Sequence, residues 1–96
     1  MNDKKIYELI KNKDLKKALD EMEQQLKKVL INKLNKSEEK SFNSTTNIMD
    51  VIEYCIKTKP EYYDILTYLR NILFFEDKTD LEKIYELAYI YDNLNQ

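Results

Sequence analysis

Arg70 is the only arginine among sixteen basic residues, and Cys55 is the only cysteine. An arginine presents a planar fork of donors suited to carboxylate or phosphate, which a lysine does not match. Arg70 falls one turn from Leu66 and Leu73, beside an apolar stripe and not opposite it. That spacing fits either a site residue or an intramolecular pair with a nearby acid. Cys55 can form neither an intramolecular disulfide nor a zinc site by itself. The chain has no histidine, so a catalytic thiolate would lack the imidazole that usually activates it. Cys55 therefore reads as a small apolar core residue. Paired carboxylates can run hydrolysis, and the richest acid cluster is Glu76, Asp77, Asp80 and Glu82. It straddles the end of one predicted helix and the start of the next, where acids complement the helix dipole. It lacks the glycine and the alternating ligands of a calcium loop. No metal site, catalytic residue or cofactor is expected.

The aromatic residues point elsewhere. Eight tyrosines and three phenylalanines are present, with no tryptophan, and most of them lie in the second half. Tyr63, Tyr68, Phe74, Phe75 and Tyr89 do not fit a single core stripe. Tyrosine offers area plus a hydroxyl and is enriched at interfaces. With Arg70 and Asn71, these five are the candidate partner-binding residues. A more central placement of the last two helices would explain the same excess without a partner.

The elements that carry these residues follow from composition and periodicity. The chain has 96 residues, no glycine and one proline, Pro60. Hairpin turns draw on residues with positive φ, and phosphate-cradling loops need glycine, so sheets and several nucleotide-binding enzyme classes are disfavoured. Ile6, Leu9 and Ile10 mark a short N-terminal helix. Asp14 suits an N-cap for a long helix whose stripe is Leu15, Ala18, Leu19, Met22, Leu26, Val29, Leu30 and Leu34, with Lys16, Lys17, Glu23, Lys27 and Lys28 elsewhere. A polar break over 35–47 holds Phe42, expected to fold back on the core, and Asn43, Ser44 or Thr45 as the next cap. The following helix carries Ile48, Val51, Ile52, Cys55 and Ile56 and ends near Thr58, since a residue before proline resists helical geometry. Pro60 opens a helix to about Glu76 with Tyr62, Ile65, Leu66, Leu69, Ile72 and Leu73 on its stripe. Thr79 and Glu82 form a capping-box pattern. The last helix carries Leu81, Ile84, Tyr85, Ala88 and Tyr91 as its core stripe, with Leu87, Ile90 and Leu94 adjoining. The expectation is one all-α domain over 1–96, an antiparallel bundle of four main helices plus the short N-terminal one.

Charge is divided along the chain. Residues 1–40 hold eleven Lys and eight acids, a balance of +3; residues 41–96 hold five basic residues and ten acids, a balance of −5. The acidic balance weighs against general nucleic-acid binding, although the Lys-rich long helix leaves that reading open. No apolar run approaches a membrane span or a signal peptide. The expected location is the cytoplasm. Codon-driven richness in Lys, Asn, Ile and Tyr suits a low-GC bacterium or its phage.

The stretch Tyr68-Leu69-Arg70-Asn71-Ile72-Leu73-Phe74-Phe75, followed by a capped helix, resembles the penultimate-helix region of HEPN domains. The resemblance covers about 30 residues, with a compatible helix order before them. HEPN domains are helical bundles, often dimeric, found in toxin–antitoxin and anti-phage systems. Many are RNases built on an Arg, usually followed by a polar residue, and on a His after four to six intervening residues. Arg70-Asn71 matches that start, but the His positions hold Phe75, Glu76 and Asp77. The resemblance therefore implies a non-catalytic member that binds a partner or a nucleotide. The alternative is a divergent RNase using Arg70 with Asp77 or tyrosines. An immunity-, antitoxin- or inhibitor-like role also fits a small acidic helical protein, which could cover a basic nucleic-acid site.

Overall fold

A computed structural model of the protein describes residues 3–34, 42, 46–75 and 77–95. Among the described residues five helices run in order: α1 (Asp3–Lys11), α2 (Leu15–Asn32), α3 (Ile48–Thr58), α4 (Tyr63–Phe74) and α5 (Asp80–Leu94), with a 3-10 turn at Pro60–Tyr62 before α4. No strand occurs among the described residues. The chain is all-α, as its periodicity and lack of glycine imply.

Local chemistry sets most of the boundaries. The turn from α1 into α2 is a Schellman arrangement: Lys13 N–H donates to the Ile10 carbonyl at 3.0 Å, and Asp14 N–H donates to the Leu9 carbonyl at 2.8 Å. Such a turn places its first post-helical residue in the left-handed region, where glycine is usual. Lys13 occupies it instead, at φ 60°. Asp14 then caps α2, its carboxylate accepting from Lys17 N–H at 3.4 Å. Thr79 and Glu82 make the expected capping box on α5, with Glu82 N–H donating to Thr79 Oγ1 and Thr79 N–H donating to Glu82 Oε1, both at 3.2 Å.

Three boundaries differ from expectation. Asn47 caps α3, its side-chain oxygen accepting from Met49 N–H at 2.8 Å; Asn43, Ser44 and Thr45 lie outside the described residues. Pro60 begins the tighter 3-10 turn, so α4 starts at Tyr63 and not at Pro60. Proline's fixed φ suits both helix types, and only packing distinguishes them. At the other end α4 stops at Phe74; Glu76 lies outside the described residues.

Residues from every helix meet in one buried cluster: Ile6 from α1, Ala18, Met22, Leu26 and Leu30 from α2, Val51, Ile52 and Cys55 from α3, Leu66, Leu69 and Ile72 from α4, and Ile84, Leu87, Ile90 and Leu94 from α5, with Leu34 after α2. Cys55 is buried, as its composition suggests. Helix α2 organises the assembly. It packs most extensively on α5 and also on α1 and α3, while α3 packs on α4 and α4 on α5. Phe42 folds back as expected, its ring meeting Tyr54 edge-on at 5.3 Å.

Three side chains depart from the sequence-derived faces. Lys27, expected off the apolar stripe, is only 6% exposed. Its aliphatic stem lies over apolar surface, and its ammonium donates to the Thr46 carbonyl at 3.1 Å, one residue before the α3 cap. Tyr85, expected in the core stripe of α5, is 64% exposed. The wholly aliphatic set Ile84, Leu87, Ile90 and Leu94 is turned inward instead. Leucine and isoleucine bury no polar atom, whereas a buried tyrosine must find a partner for its hydroxyl. Tyr62, placed on the α4 stripe, is half-buried in the preceding turn, with the Lys33 ammonium 5.0 Å from its ring centroid.

Candidate interaction surface

No aromatic residue belongs to the fully buried core among the described residues. The aromatic excess therefore lies outside it. Tyr63, Tyr68, Phe74, Phe75, Tyr85 and Tyr89 are all exposed, Phe75 to 70%, and all six belong to α4, α5 or the residue that ends α4. Tyr7 on α1 is the other large exposed aromatic among the described residues.

Helical register sorts the candidates on α4 into two flanks around the inward stripe of Leu66, Leu69 and Ile72. Residues three, four and seven apart share a side, so Tyr63, Thr67, Arg70 and Phe74 fall on one flank, and Asp64, Tyr68, Asn71 and Phe75 on the other. Each flank meets a different neighbour. Arg70 is half-buried and turned toward α3, where its Nη1 donates to Glu53 Oε1 at 3.1 Å. On the opposite flank the Tyr68 hydroxyl donates to Glu86 Oε1 of α5 at 3.1 Å, and Lys78 pairs with the same carboxylate oxygen at 3.2 Å.

The structure thus does not gather the seven sequence candidates on one side. Tyr68, Asn71 and Phe75 lie on the flank of α4 that faces α5, whereas Tyr63, Arg70 and Phe74 lie on the flank that faces α3. Asn71 is half-buried there, and its backbone carbonyl receives Phe75 N–H at 3.0 Å. Tyr89 projects from the outer face of α5, one turn after Tyr85, together with the exposed acids Glu82 and Asp92. The Tyr68–Glu86 bond ties that flank of α4 to α5. Tyr85 is the member of this surface that sequence reasoning missed. The legible signal was the aliphatic spacing Ile84, Leu87, Ile90, Leu94, which fills the inward face of α5 without any tyrosine.

Other chemistry-bearing groups are less organised. Glu82 is held below the ordinary carboxylate range by the Thr79 hydroxyl and then by the Thr79 N–H, so its perturbation belongs to the helix cap. Glu23 on α2 is pushed up by burial and by the charge of Asp20, with Lys83 of α5 acting against them. Asp77 is exposed and Asp80 half-buried at the start of α5. Among the described residues no group of three or more His, Cys, Asp or Glu could hold a metal ion, and no helix is long and apolar enough to cross a membrane. An open groove of about 360 Å³ between α1 and α2 is lined by Lys5, Leu9, Lys17, Asp20 and Glu21. Its Lys5–Glu21 pair, at 2.7 Å, spans it.

No family model, curated protein or solved structure matches the chain. The HEPN resemblance therefore rests on the stretch from Tyr68 to Phe75 and on the capped helix after it.

Proposed function

We propose that this protein is a non-catalytic helical interaction module that binds a protein partner or a second copy of itself through the outer surface of α4 and α5. One observation carries the reading: six exposed aromatics crowd those two helices while the core is closed by aliphatic, Met and Cys side chains. Removing exposed tyrosine or phenylalanine from water in a contact gains far more than leaving it solvated, and such residues are frequent energetic anchors of interfaces. Arg70 supports the non-catalytic part of the reading, since its guanidinium is held by Glu53. An immunity-, antitoxin- or inhibitor-like role suits a small acidic module of this kind. The HEPN resemblance, in a chain without the motif histidine, is compatible with a non-catalytic binding role.

The same reading arranges α2 to α5 as an antiparallel four-helix bundle with α1 appended. Its support is the closed circuit of neighbours, in which α2 meets α3, α3 meets α4, α4 meets α5 and α5 meets α2.

The test is a comparison of the wild-type chain with a Tyr85→Ser, Tyr89→Ser double variant, by mass in solution and by retention of proteins from the native cell on the immobilised chain. The wild type should self-associate or retain a defined partner, and the variant should lose that behaviour while keeping its helical circular dichroism. A strictly monomeric wild type that retains nothing would sink the proposal.

A further inference from the structure

The charge that surrounds the exposed aromatics says what kind of surface they fit. Among the described residues from Pro60 onward, every exposed charged side chain is an acid: Glu61, Asp64, Asp77, Glu82 and Asp92. The cations of the same region are withdrawn. Arg70 is half-buried against Glu53 and Lys78 against Glu86, and Lys83 is half-buried near Glu23 of α2. Helices α1 and α2 show the opposite arrangement, their exposed charges being mostly lysines, among them Lys4, Lys11, Lys16 and Lys28.

From this we infer that the outer face of α4 and α5 receives a cationic, amphipathic surface of a different protein, one rich in Lys or Arg beside apolar residues. The inference rests on the interaction-module reading above and names its partner class. Carboxylates around an aromatic patch attract cations over a distance and orient their approach. Tyrosine and phenylalanine rings then accept a guanidinium or ammonium over their faces. A second copy docked by the same face would set acid against acid, because a two-fold contact repeats one patch on both sides. A second copy docked by its lysine face supplies charge but little apolar area, since Tyr7 is the one large exposed hydrophobic residue there among the described residues. Single-stranded nucleic acid could stack on the rings, but its phosphates meet carboxylates.

The experiment titrates the full chain with three probes: a synthetic amphipathic helical Lys/Leu peptide, its Glu/Leu counterpart and a single-stranded oligonucleotide. Backbone amide shifts report the site. The Lys/Leu peptide should bind and perturb α4 and α5, and the other two should not. Its affinity should fall about tenfold in a Glu82→Gln, Asp92→Asn variant. It should fall further as ionic strength rises from about 0.01 M to about 1 M, which shortens the Debye length from about 30 Å to about 3 Å. A Glu8→Gln, Asp20→Asn variant, altered on α1 and α2, should bind like the wild type. Equal binding of the Glu/Leu peptide, oligonucleotide binding at α4 and α5, or equal loss in the two charge variants would overturn the assignment. If the Lys/Leu peptide fails while the wild type self-associates through Tyr85 and Tyr89, the cationic partner is rejected and the interaction module stands. If the peptide fails and the chain is a monomer that retains nothing, both fall.

Discussion

Glu23 and Glu82 carry opposite perturbations, and their signs give opposite dependences of stability on pH. Glu82 has a folded pKa depressed by the Thr79 hydroxyl and N–H. Its contribution is present above the ordinary carboxylate value and is lost as pH falls through the folded value. Glu23 has a folded pKa raised by burial and by Asp20. Its contribution is present below the ordinary carboxylate value and is lost as pH rises through the folded one. A Glu23→Gln variant should therefore be more stable than the wild type at pH 7, with the gap closing toward about pH 4. A Glu82→Gln variant should be less stable at pH 7, with its gap closing on further acidification. Urea midpoints measured across that range check both, and offsets that stay constant with pH would contradict the assignment. Lys27 shows a different residue-scale outcome. A lysine is usually solvated, but here its ammonium reaches the Thr46 carbonyl, so that its stem could be buried without stranding the charge.

At the scale of elements, the zero-glycine composition is not without cost. Helical turns still draw on the left-handed region, and Lys13 takes the position between α1 and α2 where a glycine would sit. A Lys13→Gly substitution removes the Cβ conflict and should stabilise the chain by about 0.5–1 kcal/mol, after allowance for the greater freedom of glycine in the unfolded state. The check is a urea midpoint shifted upward at unchanged slope, and a destabilised variant would contradict the reading. The caps were legible unequally. Asp14 and the Thr79–Glu82 box stand directly before aliphatic stripes. The α3 cap was missed: Asn43, Ser44 and Thr45 were the expected caps, but Asn47, equally competent to cap, stands directly before the helix and takes the position.

For the whole molecule, the decisive event is the rotation of α5 about its own axis. Two apolar stripes overlap on this helix, and packing on α2 and α4 turns the aliphatic one inward. Leu87→Ala should cost about 2–5 kcal/mol, as for other fully buried leucines. Tyr85→Ser, at an exposed position, should change stability by no more than about 0.5 kcal/mol. Denaturant titration of the two variants side by side distinguishes the faces; similar losses would mean that Tyr85 belongs to the core.

The sequence by itself determined that the chain is helical, roughly where four of its helices begin, and that Cys55 and the Leu and Ile stripes of the helices before α5 pack toward the core. These follow from local rules of turn chemistry, capping and the 3.6-residue period, which act within a few residues of each other. It also identified aromatics that the folded chain leaves exposed: Tyr63, Tyr68, Phe74, Phe75 and Tyr89. Only the tertiary structure decided that Arg70 pairs with Glu53, that Tyr68 meets Glu86, that the α4 candidates divide between two flanks, and that Tyr85 joins the outer face. Each of those depends on the rotation of one helix against another. That rotation is set by which stripe buries more apolar surface with no stranded hydroxyl, a comparison made between helices and not along one of them.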